Sequence, residues 1–186
     1  DLAGQAFPKL MPGEYGLLNL PTTHIAVTGT STAVVQIQLW VSAGSWTLDE
    51  AWLAGGKLIL VEPRRIAARA AAERMAATLG EKVGQTIGLR SRLDVRTSRE
   101  SRIEVVTEGV FSRMILSDPA LEGVAGVLFD EFHERSLDAD EGLAFALDSQ
   151  SVLREDLRIV LMSATLPGNL TQDFFEAPVV ESLTLY

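Results

Sequence analysis

The chain has 186 residues, of which 47% are hydrophobic and 22% are charged. That composition suits one packed domain of ordinary size and excludes disorder over the whole length. The absence of Cys excludes disulfides, thiolate metal sites and cysteine nucleophiles, and two His are too few for a cluster of metal ligands. A net charge of −9 argues against a protein that coats nucleic acid over its whole surface.

The charges are unevenly distributed. Residues 62–113 contain eleven Lys or Arg and seven Asp or Glu, whereas residues 114–186 contain three and fourteen. A basic strip therefore lies within an acidic protein. Residues 15–48 carry no Asp, Glu, Lys or Arg, but Gln36, Gln38 and five Ser or Thr interrupt the apolar stretch 25–43. We therefore expect no membrane-spanning helix and a cytoplasmic protein.

Strands and helices alternate from residue 57 onward. The apolar run 57–61 predicts a strand, and the Ala-rich segment 66–79 predicts a helix that Gly80 ends. A strand at 103–106 precedes a helix at 108–116, which Asp118 and Pro119 close. A strand at 126–129, a helix at 137–147 with Ser136 as N-cap, and a strand at 159–162 follow. This alternation is typical of an α/β protein whose parallel sheet is covered by helices on both faces.

The third predicted strand ends in two carboxylates, Asp130 and Glu131, and His133 follows them. In parallel α/β sheets the chemistry gathers at the carboxyl ends of the strands. A carboxylate there can hold Mg²⁺, usually through water, and a second can orient or deprotonate an attacking water. The alternative is a solvated acidic loop.

Polar residues also follow the other predicted strands. Pro63, Arg64 and Arg65 stand at a helix start, where cationic side chains and free backbone N–H groups suit a phosphate backbone. The segments 107–109 and 163–165 follow two further strands and offer hydroxyl groups. Taken singly, each segment also fits a solvated helix start, a capped helix entry or an ordinary turn.

Taken together and in order, these segments resemble the motifs of the DExH branch of superfamily 2 helicases. Residues 130–136 (DEFHERS) resemble motif II, and residues 61–68 (VEPRRIAA) resemble motif Ia. Thr107–Gly109 resembles motif Ib and Ser163–Thr165 resembles motif III. The longer phrases 53–65 and 132–140 are similar to the bacterial HrpB-type ATP-dependent helicases. The resemblance covers about residues 48–182.

The resemblance implies a three-layer RecA-like fold of the P-loop NTPase type, with residues 48–186 as the first, partial RecA-like domain. It implies ATP and Mg²⁺ as cofactors, with Asp130 holding the metal through water and Glu131 activating the hydrolytic water. His133 would couple the nucleotide state to nucleic acid, and Ser163 and Thr165 would contact the nucleotide and link hydrolysis to strand movement. The residues implied to contact the backbone of a single strand, RNA being the expectation although DNA stays open, are Pro63, Arg64, Arg65, Thr107, Glu108 and Gly109.

The phosphate loop that such helicases require, G-x-x-x-x-G-K-[ST], is missing from the sequence. The three Lys residues, Lys9, Lys57 and Lys82, are each followed by Leu or Val. Gly55-Gly56-Lys57 is expected to enter a strand rather than to open a helix. We therefore expect residues 1–47 not to match the family. A shifted reading frame that rejoins near Leu48 would explain this, and a natural divergent segment is the alternative. Residues 1–47 would either supply a replacement strand from Ala33 to Val41 or remain unfolded.

The second RecA-like domain, which supplies arginine fingers in this family, is also expected to be absent. The leading interpretation is the first RecA-like domain of an ATP-dependent helicase, with this chain inactive alone. The alternative is a non-catalytic module that binds nucleic acid or a protein and ignores ATP.

Overall fold

The computed structural model describes residues 53 and 55–162, together with the backbone of four strands outside that range. The strands are β1 (Gly16–Leu20), β2 (Thr23–Val27), β3 (Ala33–Gln36), β4 (Lys57–Glu62), β5 (Ile87–Arg90), β6 (Val95–Arg96), β7 (Ile103–Thr107), β8 (Val124–Phe129), β9 (Arg158–Met162) and β10 (Val179–Glu181). The helices are α1 (Arg65–Thr78), α2 (Glu108–Ser117) and α3 (Leu137–Val152).

Eight of these strands form one sheet in the order β10-β3-β9-β8-β4-β7-β5-β6, and β1 pairs with β2 separately. Every pairing in the larger sheet is parallel except that of β5 with β6. The parallel sheet predicted from the alternating pattern is therefore confirmed. Because β8, β4 and β7 are neighbours and run the same way, their carboxyl ends meet at one edge.

Helices cover both faces of the sheet. Alternate residues of β4 point to opposite faces, so Leu58 and Leu60 belong to one buried cluster while Ile59 and Val61 belong to the other. The first cluster includes Ala68, Ala72, Met75 and Ala76 of α1. The second includes Val110, Phe111 and Ile115 of α2 with Ala139, Leu143 and Ala146 of α3. The arrangement is the three-layer RecA-like architecture that the resemblance implied.

Each predicted strand and helix from residue 57 onward is present, with small differences at the ends. The predicted end of α3 at residue 147 was too early, because polar residues there are satisfied inside the fold. The hydroxyl of Ser149 donates to the carbonyl of Pro119 at 2.6 Å, and the side-chain amide of Gln150 donates to the carbonyl of Leu157 at 2.6 Å. Strands β5 and β6 were not predicted, since four and two residues give too little pattern to read.

The segment proposed as a replacement strand, Ala33–Val41, contains β3 over Ala33–Gln36, parallel to β9. Residues 37–41 lie outside the described residues. In the described part of the chain, no helix combines the length and the apolar character needed to cross a bilayer.

Candidate nucleotide and nucleic-acid site

The carboxyl ends of β8, β4 and β7 bring the predicted site residues to one edge of the sheet. Val61 on β4 pairs with Phe129 on β8, and Glu62 pairs with Thr107 on β7. The backbone N–H of Asp130 then donates to the carbonyl of Val61 at 2.9 Å, which keeps Asp130 beside the end of β4. Parallel register thus places three of the four predicted segments side by side.

Asp130 has a neighbour that the sequence analysis did not single out. Glu62, the last residue of β4, is only 4% exposed and shares a side-chain hydrogen bond with Asp130. Burial, followed by the negative charge of Asp130, raises the pKa of Glu62 to about 8. Burial also raises the pKa of Asp130, to about 6, although the N–H of Glu131 and the bond from Glu62 oppose that rise. Glu62 is therefore the partner that keeps the proton at neutral pH.

The turn after β8 fixes the geometry of the acidic pair. Glu131 adopts a left-handed backbone conformation with φ of 48°, which is uncommon outside Gly. In that conformation its N–H donates to Oδ1 of Asp130 at 2.8 Å. Its own side chain is 46% exposed, and its Oε2 lies 3.3 Å from Nδ1 of His133. The two carboxylates therefore have different environments: that of Asp130 is half-buried and hydrogen-bonded, and that of Glu131 is open to water.

Phe132 anchors this turn to the core. It is buried, and its ring meets that of Phe129 edge-on with centroids 6.4 Å apart. The guanidinium of Arg135 stands 5.6 Å from the centroid of the Phe132 ring on the outer side. The buried Phe132 ring therefore holds in place the loop that carries the catalytic candidates Asp130, Glu131 and His133.

The basic segment that follows β4 contacts this loop through the side chain of Arg64. Arg64 is the N-cap residue of α1 and Arg65 is the first helical residue, and the first turn contains no acidic residue. Both side chains are exposed, but Arg64 is engaged: its Nη2 is 2.8 Å from Oε1 of Glu134 and its Nε is 3.3 Å from Oε2. Pro63 precedes them and is half-buried.

Arg65 also lines a cleft of about 460 Å³ between α1 and the turn that joins β5 to β6. The exposed side chains of Ile66 and Leu93 give it an apolar rim, and Arg69 closes one end through an ion pair with Asp94 at 2.9 Å. The surface beside Arg65 is therefore a cleft with an apolar rim, in which the charge of Arg69 is neutralised by Asp94.

The segment after β7 is hydrogen-bonded to the loop 130–136, which is called the acidic loop below. The hydroxyl of Ser136 donates to Oε2 of Glu108 at 2.6 Å, and its oxygen accepts the N–H of Ala139 at 2.9 Å, which confirms Ser136 as the N-cap of α3. Burial raises the pKa of Glu108, while the bond from Ser136 lowers it. The side chain of Thr107 makes no capping bond to α2. A Cβ on Gly109 would lie 3.2 Å from Oδ2 of Asp138, so a larger residue would crowd this junction.

Two predicted residues are not located by the structure. Ser163 and Thr165 lie outside the described residues, although β9 ends at Met162 on the same edge.

Lys57 is the first residue of β4, at the opposite edge, and its Nζ is 2.7 Å from Oε1 of the buried Glu104. The expectation that Gly55-Gly56-Lys57 enters a strand is confirmed.

The profile of a protein family described as DEAD/DEAH box helicase matches residues 25–174. The chain belongs to this helicase family. Among its curated relatives, the ATP-dependent RNA helicase HrpB of Escherichia coli strain K12 is 55% identical over 128 residues, which are 68% of this chain and 16% of that protein. The putative ATP-dependent RNA helicase DHX57 of Homo sapiens is 40% identical over 124 residues, which are 66% of this chain and 9% of that protein.

Solved structures agree with this assignment of the helicase domain. A crystal structure of the E. coli DExH-box NTPase HrpB superposes with a TM-score of 0.71 and 48% identity, covering 81% of this chain and 19% of that one. A second HrpB crystal structure gives a TM-score of 0.70 and 47% identity, covering 81% and 20%. The chain therefore spans about a fifth or less of the length of these relatives.

Proposed function

We propose that this chain contributes the Mg²⁺-facing and nucleic-acid-facing surfaces of an ATP-dependent RNA helicase. The observation that carries the proposal is the convergence of an acidic pair, a basic helix start and a hydroxyl at the ends of three adjacent parallel strands. In this arrangement a triphosphate site and a phosphate backbone would lie on neighbouring parts of one edge. The names of the relatives, which are RNA helicases, favour RNA as the nucleic acid.

The donor set fits a hydrated Mg²⁺ rather than a metal held by protein ligands alone. Within the described residues, no three His, Asp or Glu side chains form a group that could hold a metal ion. Mg²⁺ commonly keeps several waters and uses one or two carboxylates together with substrate phosphates. Asp130 would meet it through water, and the bound metal would neutralise phosphate charge. Glu62 and the N–H of Glu131 hold the Asp130 carboxylate in place for that contact.

Glu131 is the candidate general base. Its exposed carboxylate can reach a water in front of the sheet edge, and Nδ1 of His133 is 3.3 Å from its Oε2. His133 would therefore orient Glu131 and communicate with the nucleic-acid side of the loop. Ser163 and Thr165 stay candidates for the same nucleotide contact and for linking hydrolysis to strand movement.

The phosphate-binding part of the site does not fit an intact helicase. The sequence has no Lys followed by Ser or Thr, and Lys57 is committed to Glu104 at the far edge. Without a cradle of backbone N–H groups and a Lys, the grip on the triphosphate is weak. A second RecA-like domain would have to supply the arginine fingers, and such a residue is worth about 10³–10⁵ in rate in related phosphoryl-transfer enzymes. We therefore propose that this chain alone hydrolyses little or no ATP.

The missing phosphate loop also favours a second candidate function. A module that binds nucleic acid or a protein without using ATP would need the basic edge but would not need a phosphate loop. The two candidates differ in their response to ATP and Mg²⁺, which only the first should show once the missing parts are supplied.

The cytoplasmic location expected from the sequence stays a prediction.

Binding of a fluorescently labelled single-stranded oligoribonucleotide, followed by anisotropy, tests the proposed surface. The double variant Arg64→Glu/Arg65→Glu should bind about tenfold more weakly on every sequence tried, because backbone phosphates carry no base information. The matched control is Arg74→Glu/Arg113→Glu, which makes the same charge change at exposed positions on α1 and α2. Equal weakening in both double variants, or a loss on one sequence alone, would contradict the proposal.

A further inference from the structure

Arg64 is held by a carboxylate of the acidic loop in a two-point contact. Its Nη2 is 2.8 Å from Oε1 of Glu134, and its Nε is 3.3 Å from Oε2. The Arg64 side chain is 71% exposed and that of Glu134 is 32% exposed. The pair is thus at the surface, open to exchange with a ligand, although its two residues are seventy positions apart in the chain.

A phosphate that approaches the Nε–Nη2 edge of Arg64 would compete with Glu134 for the same N–H donors. Arginine presents parallel N–H donors that match the two oxygens of a carboxylate or of a phosphate in one geometry. Glu134 occupies the edge formed by Nε and Nη2, and its negative charge also repels a phosphate that approaches the remaining N–H donors. One guanidinium edge cannot satisfy both partners in that fork geometry.

The surroundings of Glu134 favour its release once another anion takes Arg64. Its negative charge raises the pKa of both Glu62 and Glu108, which shows that it lies within the field of other carboxylates. Among the described residues, Arg64 is the ion-pair partner of Glu134. Without that partner, Glu134 would be left among like charges and would turn toward water.

We propose that Glu134 is a built-in competitor of the nucleic-acid phosphate for Arg64, so that the Arg64–Glu134 ion pair opens when a single strand binds. The inference rests on the proposed function, since it requires that Arg64 contacts the nucleic-acid backbone. It adds a residue that lowers the resting affinity of that surface.

Glu134 is also linked to Glu131 through the backbone. The backbone N–H of Glu134 donates to the carbonyl of Glu131 at 2.9 Å, across the 3₁₀ turn Phe132–Glu134. On the far side of the loop, the Ser136 hydroxyl remains bonded to Glu108. Opening the Arg64 contact would therefore release the Glu134 side chain, while the buried Phe132 ring and the bond from Ser136 to Glu108 keep the loop in place.

A double-mutant cycle on nucleic-acid binding tests the competition. Glu134→Gln in the full chain should tighten binding of a labelled single-stranded oligoribonucleotide by about two- to fivefold at low salt, the range that an exposed ion pair can withhold. In an Arg64→Gln background the same substitution should have no effect beyond that of its control. The control is Asp156→Asn, which removes one carboxylate from another exposed ion pair, with Arg154, at the opposite edge of the sheet.

The outcomes separate this inference from the proposed function. If Arg64→Gln weakens binding but Glu134→Gln changes it no more than Asp156→Asn does, the competition is refuted while the surface stands. If Arg64→Gln leaves binding unchanged, the nucleic-acid surface itself is refuted. A gain from Glu134→Gln that persists in the Arg64→Gln background would show a general charge effect and would also overturn the competition. Thermal melts of each variant confirm that the fold is retained.

Discussion

The buried carboxyl group of Glu62 is hydrogen-bonded to the carboxylate of Asp130, the residue proposed to face Mg²⁺. Because β4 and β8 are neighbours, the two acids are forced together at the same edge. One of them must keep a proton, since two adjacent buried carboxylates cannot both ionise cheaply. Glu62 keeps it, and a neutral Glu62 can donate to Asp130 and orient it.

This pairing makes the stability of the fold depend on pH. The pKa of Glu62 is about 8 in the folded chain against an ordinary value of 4.5 for a glutamate, so the folded state binds more protons between these values. The free energy of unfolding should therefore fall as the pH rises from about 4.5 to about 8. Glu62→Gln removes that titration, and its amide can still donate to Asp130.

We expect Glu62→Gln to be more stable than the parent chain at pH 8 by about 1 kcal/mol or more, roughly 2–4 °C in melting temperature, and to differ less at pH 5. Thermal melts followed by circular dichroism at both pH values measure this. Glu122→Gln, an exposed carboxyl on the turn before β8, is the control. Stability curves that stay parallel for Glu62→Gln and the parent chain would contradict the proposed protonation of Glu62.

Ser136 joins two parts of the site, since it caps α3 and bonds Glu108. Ser136→Ala should lower the free energy of unfolding by about 1–2 kcal/mol, because the cap is lost and Glu108 loses its hydroxyl partner. Chemical denaturation measures the loss. Ser117→Ala is a suitable control, because that hydroxyl bonds only carbonyls of its own helix. A loss no greater than that of the control would show that the bond to Glu108 contributes nothing.

Lys57 tests whether the Gly-Gly-Lys sequence has any part in nucleotide binding. Its ammonium group neutralises the buried Glu104, which Arg90 also approaches at 3.3 Å. Lys57→Gln should destabilise the fold by about 1–3 kcal/mol, since it removes one partner of a buried carboxylate. It should leave nucleic-acid affinity unchanged within about twofold, because Lys57 is at the opposite edge. A selective loss of nucleotide or nucleic-acid binding with no loss of stability would overturn this assignment.

The sequence predicted the parts of the fold that depend on local pattern. Apolar runs located the central strands, and Gly80 and Ser136 marked a helix end and a helix start where the structure has them. The predicted site segments lie together because parallel strands end at one edge, so the order of motifs was sufficient to assemble them.

What the sequence could not predict depends on which strands are neighbours. The bond between Glu62 and Asp130 follows from the lateral contact of β4 with β8, and no local pattern encodes it. The ion pair of Arg64 with Glu134 has the same origin. An acid that ends an apolar strand was the one available signal for Glu62, and it became informative only when the adjacent strand was known to end in Asp130.

Hydrolysis by the isolated chain tests the proposed loss of activity. We expect no Mg²⁺-dependent release of phosphate from ATP above that of the Glu131→Gln variant, with or without single-stranded RNA, because the sequence has no Lys-containing phosphate loop. A colorimetric phosphate assay is sufficient. Turnover that Glu131→Gln abolishes would show that the described carboxylates work without the missing parts.

The most direct test of the account is the titration of the chain with a non-hydrolysable ATP analogue in a calorimeter, with and without Mg²⁺. The acidic pair is in place but the sequence contains no Lys-containing phosphate loop, so the account predicts no saturable binding up to about millimolar concentrations in either condition. Micromolar binding that requires Mg²⁺ and disappears in Asp130→Asn would contradict it, because the chain would then hold a triphosphate by groups other than a Lys-containing phosphate loop.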